Sequence, residues 1–252
     1  MSDNGPQIEY DEFSGPDLDS ARWSPARLPL PSGEHVPLDP NAELTVGDGE
    51  ARVAIPRFSL ADDENQAADS VKYLILSTRE FELPPDGAVT FAAGMAVENV
   101  GGDPLDYRRG IAAFQVADLE ASRRVFSVTG TSARVFAMHE HLPLGGGGPA
   151  EPGGGPAEPF IHVVESPYED FGDDFTRLRE CEITLDRSGS SVAWHVDGQK
   201  LYEARGTLIP ERARISLGIY TQVAIKDGRS RSNDGQGMNA RWSRVRVRGI
   251  DD

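Results

Sequence analysis

The sequence predicts an all-β protein, a sandwich or barrel of antiparallel strands. Apolar and polar residues alternate with period two along most of the chain, whereas the 3.6-residue periodicity of an amphipathic helix is nearly absent. Turn chemistry punctuates the alternation, in "VGDG", "PPDG", "RSGS" and "VDGQ". The 252 residues suit one large domain, 1–252, and 38% hydrophobic content allows a substantial core without disulfides. No linker of different composition divides the chain.

Taken in order, alternating segments predict strands at 9–13, 43–46, 51–55, 72–77, 79–83, 89–97 and 110–117. More follow at 123–128, 133–139, 160–165, 178–185, 191–196, 201–204, 213–225 and 241–248. The connection "SPARLPLPSGEHVPLDPN" carries too many prolines for regular structure. In "SVAWHVDGQ", Val192, Trp194 and Val196 share one face, His195 lies on the other, and Asp197-Gly198 closes a hairpin. In "ARISLGIYTQVAI", Ile215, Leu217 and Ile219 belong between the sheets. Ser216, Gly218, Tyr220 and Gln222 then make the opposite face a polar platform with one aromatic ring, suited to a ligand.

A formal charge of −16 argues against nucleic acid and against an anionic membrane surface as partners, since both require a basic patch. A neutral or cationic small molecule fits better. Cys181 is the single cysteine, so no internal disulfide forms, and it reads as a small buried residue. The opening "MSDNGPQIEYDEF" lacks a basic region followed by an apolar one, and no segment reaches the length of a membrane span. The expectation is a cytoplasmic protein.

The stretch "FAMHEHLPLGGGGPAEPGGGPAEPFIHVVES" raises the question of a site. His139 and His141 lie two apart, so on a strand they share a face with Glu140 opposite. Imidazoles so placed suit a transition metal, with His162, Glu165 or His195 as a third ligand. Without metal they are candidates for a general acid or base, because histidine titrates near neutrality. The heptapeptide "GGGPAEP" occurs twice in succession, at 146–152 and 153–159. Such a segment cannot bury apolar surface, so 142–159 is expected to be a mobile insertion at a hairpin tip. Tyr107 and Arg109 stand at a strand entrance, where arginine can pair with a substrate anion or balance Asp103 and Asp106. The polar loop "KDGRSRSNDGQGMNARW" offers Asp227, Asn233 and Asp234 as oxygen ligands for a structural calcium ion.

Three stretches, "YDEFSGPDLDSARW", "SVAWHVDGQKLYE" and the closing pair "RISLGIYTQV" and "ARWSRVRVRG", together resemble the concanavalin A-like lectin and glucanase superfamily. The resemblance implies a jelly-roll β-sandwich of two curved antiparallel sheets with a ligand-binding concave groove. Retaining glucanases of this superfamily carry Glu-x-Asp-x-x-Glu, or one residue fewer, on one strand, which spaces acid and nucleophile for double displacement. No such motif is present, and the acidic run "ESPYEDFGDD" is broken by Pro167 and Gly172. A retaining β-glucanase is therefore not expected. Two functions follow as expectations. One is an intracellular small-molecule enzyme such as a cyclase, isomerase or hydrolase, with specialised metabolites among its candidate substrates, without an obligatory cofactor. In it His139 and His141 would be catalytic, with Tyr220, Gln222, Tyr107, Arg109, His195 and Glu165 binding substrate. The other is a non-catalytic lectin-like carbohydrate-binding module.

Overall fold

The computed structural model describes residues 6–30, 33–142, 158–166 and 175–250. Its elements begin with β1 (Gln7–Asp11), β2 (Trp23–Pro25), β3 (Leu28–Leu30), β4 (Gly33–His35), β5 (Glu43–Gly47) and β6 (Glu50–Ile55). Helix α1 (Gln66–Ser70) leads directly into β7 (Val71–Ser77), followed by β8 (Phe81–Glu82) and β9 (Ala88–Val100). After a 3-10 turn at Tyr107–Arg109 come β10 (Ile111–Asp118), β11 (Arg124–Gly130), β12 (Val135–His141) and β13 (Phe160–Glu165). The chain closes with β14 (Arg179–Asp186), β15 (Ser191–Val196), β16 (Gln199–Arg205), β17 (Arg212–Tyr220) and β18 (Gly237–Arg248).

Two eight-stranded antiparallel sheets stack as a jelly-roll sandwich. The first runs β16-β15-β14-β9-β18-β6-β5, with β1 also on β18. The second runs β13-β12-β11-β10-β17-β7-β2, with β8 also on β17. Alternation decides what lies between them. Phe114, Phe126, Ile215, Leu217 and Ile219 of the second sheet meet Phe91, Ile183, Trp194 and Trp242 of the first in one core. The stretch "YDEFSGPDLDSARW" is a local tie, in which the buried Asp11 carboxylate accepts from Trp23 Nε1 at 2.7 Å and from Phe13 N at 2.8 Å. Asp197 and Gly198 both have positive φ, 49° and 75°, the geometry of a tight hairpin between β15 and β16.

Four sequence expectations change. The proline-rich connection contains edge strand β2 and the small hairpin β3-β4, because its prolines fall where no ladder donor is needed. Helix α1 is too short to show periodicity; Asn65 caps it, its side chain accepting from the N–H groups of Ala67 and Ala68 at 3.0 and 3.2 Å. Strand β17 stops at Tyr220, short of residue 225, because Thr221 N turns to Ser70 O and Gln222 N to Arg108 O, each at 2.8 Å. Strand β18 begins four residues early, at Gly237, where a Cβ would fall 2.0 Å from the Ile55 carbonyl oxygen. Most of the Gly/Pro insertion expected to be mobile, residues 143–157, lies outside the described residues, as do 167–174 of the acidic run.

Candidate functional site

Strand β12 carries "VFAMHEH", apolar on both faces, so alternation alone leaves its orientation open. The structure turns Val135, Ala137 and His139 toward the inter-sheet core, and Phe136, Met138 and Glu140 toward the outer face of the second sheet. His139 and His141 do share a face, but it is the inter-sheet one. His139 stacks on Phe126 with ring centroids 4.9 Å apart and shares a hydrogen bond of 3.2 Å with Thr207. Burial, then the charges of Arg124, His162 and His141, push its pKa down to about 3, so it is neutral at ordinary pH. Lying between the sheets, it does not reach the cavity on the outer face. His141 donates Nδ1–H to Glu158 O at 2.9 Å, and its buried Nε2 has no partner among the described residues. Among the described residues no three His, Cys, Asp or Glu side chains converge as metal ligands.

The residue that faces the cavity is Glu140. Its cavity, of about 360 Å³, lies on the outer face of the second sheet. Strands β7, β10, β11, β12 and β17 form one wall; helix α1, Leu28, Leu119, Leu142, Gln222 and the segment Pro159–Ile161 form the rest. The lining is mostly apolar, with Leu74, Ile111, Ala117, Val125 and Met138 prominent. Glu140 opens into this space, and no hydrogen bond or ion pair reaches its carboxyl group among the described residues. Desolvation in these apolar surroundings pushes its pKa up to about 7.

Four groups on neighbouring strands form the polar counterpart. Gln115 Oε1 accepts from the hydroxyls of Tyr220, at 2.5 Å, and Ser216, at 3.0 Å. Both acceptor sites of this oxygen are therefore occupied, which orients the Gln115 NH2 group. Tyr220 reaches Gln115 because its ring lies flat along β17 over Gly218, where a Cβ would stand 2.5 Å from the phenol oxygen. Burial, then the Glu140 charge, raises the Tyr220 pKa well above its ordinary value, so the phenol keeps its proton. Thr129 completes the set, its hydroxyl donating to Met138 Sδ at 3.1 Å.

The other predicted residues divide. Gln222 lines the cavity with Tyr220. Tyr107 packs on Phe136 with centroids 5.2 Å apart, in a small cluster with Ile111 and Met138, and does not itself line the cavity. Arg109 is held by Asp234 at 2.7 Å and Asp106 at 3.8 Å, away from the lining. Glu165 pairs with Arg134 at the exposed end of β13. His195 lies opposite Glu182 and Lys200 on the outer face of the first sheet, with the whole core between it and the cavity. Where calcium was expected, Asn233 Nδ2 donates to Leu60 O at 3.2 Å, and the ammonium of Lys72 sits among the oxygens, donating to Leu60 O, Asp69 O and Ser232 Oγ. Gln115 and Glu140 were missed. Gln115 had a usable signal, a polar residue inside the apolar strand "IAAFQVA".

Two stacked antiparallel sheets of this topology define a concanavalin A-like jelly roll, the fold of the lectin and glucanase superfamily. Among solved structures the chain is similar to the endo-1,3-β-glucanase of Streptomyces sioyaensis, at 15% identity and TM-score 0.56 over 97% of this chain and 96% of that one. It is also similar to the endo-β-1,3-glucanase of Pyrococcus furiosus, at 13% identity and TM-score 0.56 over 96% and 94% of the two chains. The Bacillus licheniformis β-glucanase matches at 12% identity and TM-score 0.54, over 99% and 100%. At these identities the likeness is one of fold. By sequence, the chain belongs to the family of unknown function DUF6081, whose model matches residues 10–250. No curated protein matches it.

Proposed function

We propose that this protein is an enzyme of small-molecule chemistry, which encloses a compact, largely apolar substrate and moves one proton through Glu140. The observation that carries the reading is the Glu140 carboxyl group in an apolar cavity, unpartnered among the described residues. With a pKa near 7 it supplies both acid and base forms at neutral pH, the condition for efficient general acid–base catalysis. Gln115 NH2, its carbonyl end fixed by two hydroxyls, holds an oxygen of the substrate. The apolar walls exclude water from the reacting groups. Isomerisation and cyclisation are reactions for which proton transfer and enclosure suffice. The carbohydrate-binding reading is favoured by the structural relatives, named as glucanases. The lining opposes it, because a sugar presents hydroxyls all round and this wall meets them with aliphatic carbon.

The test has two parts. Carbon-13 NMR of glutamate-labelled protein should show a carboxyl titrating near pH 7 that is missing from Glu140→Gln. Thermal stability should rise with compact apolar molecules by mass action. Glu140 titrating below about pH 5, the range of an unperturbed glutamate, would remove the proton-transfer role. A shift with laminari-oligosaccharides alone would establish the binding-module reading instead.

A further inference from the structure

The hydrogen-bonding capacity of the cavity is one-sided. The hydroxyl protons of Tyr220, Ser216 and Thr129 are all donated inside the protein, to Gln115 Oε1 or Met138 Sδ. What these groups have left to offer a ligand is lone pairs. Glu140 contributes a carboxyl group that nothing in the protein's described residues satisfies. Among the described residues no lysine or arginine lines the cavity. Among the described residues the remaining donors are side-chain amides and the hydroxyl of Ser70, which accepts from Gln66 Nε2 at 2.9 Å, so the side chains facing Glu140 offer mainly acceptors. A net charge of −16 adds a field that draws cations toward it.

We infer that the molecule the cavity takes is a compact apolar amine, protonated in water, whose N–H groups are received by Glu140. The inference rests on the proposed reading of Glu140 as the proton-exchanging group, and names the substrate class for it. An ammonium brings the donors that the cavity lacks, and its apolar body matches the aliphatic wall. A carboxylate ligand would face Glu140 with a like charge, and an alcohol would satisfy one acceptor at most. The titratable groups bordering the space with Glu140 are His141 and Tyr220, and the latter stays neutral.

Proton counting tests this. Isothermal titration calorimetry compares 4-phenylbutylammonium, 4-phenylbutan-1-ol and 4-phenylbutanoate in buffers of differing ionisation enthalpy. Near pH 8.5 the ammonium should bind about tenfold or more tighter than the alcohol, the range of a hydrogen bond to a charged group. The carboxylate should bind weakest. Near pH 6, where Glu140 carries a proton in the empty protein, binding of the ammonium should release about one proton per ligand. That count is the same whether the proton shared by nitrogen and carboxyl rests on one or the other. Glu140→Gln, with its fold verified by its melting curve, should abolish the release and bring ammonium and alcohol within about twofold. Equal affinities in the wild type, or proton uptake on binding the ammonium, overturn the inference while leaving an apolar cavity with an acidic group. Binding of none of the three overturns the cavity reading itself. The wild-type proton count decides the matter even if Glu140→Gln does not fold.

Discussion

At the scale of single residues, Glu140 and Gly218 do the most with the least chain. Between about pH 4.5 and 7 the folded protein holds a proton on Glu140 that the unfolded chain has released, because burial raises its pKa from 4.5 to about 7. Stability therefore falls as pH rises through that window and is level above it. Glu140→Gln should flatten this slope and melt higher than the parent at alkaline pH, by up to about 3 kcal/mol. Chemical denaturation at a series of pH values measures it, and an unchanged slope would refute it. Gly218 permits the Tyr220 ring to lie on the sheet. Gly218→Ala puts a methyl group 2.5 Å from the phenol oxygen, so the ring must lift and the bond to Gln115 must break. Tyr220→Phe removes only that bond, a loss of about 1 kcal/mol. The alanine variant should lose more stability than the phenylalanine variant, and thermal melts of the two decide it.

At the scale of elements, the cavity depends on how α1 is held over the second sheet. Helix α1 is five residues long and cannot hold itself. It is fastened at both ends. Gln66 bonds Val223 O and Ile225 N, at 3.1 and 2.8 Å. Beyond the other end, Lys72, wholly buried beside Asp69 at 3.8 Å, ties the helix to the loop before β18 through Ser232 Oγ at 2.7 Å. The hydroxyls of Ser230 and Ser232 also donate to Asp69 Oδ1, at 2.6 and 2.8 Å. Lys72→Met would leave the Asp69 carboxylate buried without its cation, at a cost of about 3–5 kcal/mol. The double variant Lys72→Met/Asp69→Leu should recover much of that loss, and equilibrium unfolding of both proteins provides the comparison. A double variant as unstable as the single one would show that the charge is not the cause.

For the molecule as a whole, 41 acidic against 25 basic residues leave a surface that repels itself. Raising ionic strength from about 0.01 to 0.15 M shortens the screening length from roughly 30 to 8 Å. The melting temperature should rise over that range, and a flat or falling trend would show that the surface ion pairs dominate. The tandem heptapeptide joins β12 to β13, which are adjacent in the second sheet. Loop-closure cost changes by about 0.6 kcal/mol per doubling of length, so deleting the copy at 146–152 should move stability by less than that in chemical denaturation, and a larger loss would refute it.

The sequence by itself determined the layers. Alternation at Ile215, Leu217, Ile219, Val192, Trp194 and Val196 told which residues lie between the sheets, because a one-residue slip would bury every polar neighbour. It also placed Tyr220, Ser216 and Gly218 together on one face, since period two is a local property of a strand. What it could not supply was the orientation of β12. Both of its faces are apolar, so either parity buries hydrophobic surface, and only pairing with β11 and β13 put Glu140 outward and the histidines inward. The cavity was likewise a tertiary decision. Its walls come from β3, α1, β10, β12 and β17, segments far apart in the chain, and the raised pKa of Glu140 exists only once they exclude water from around it.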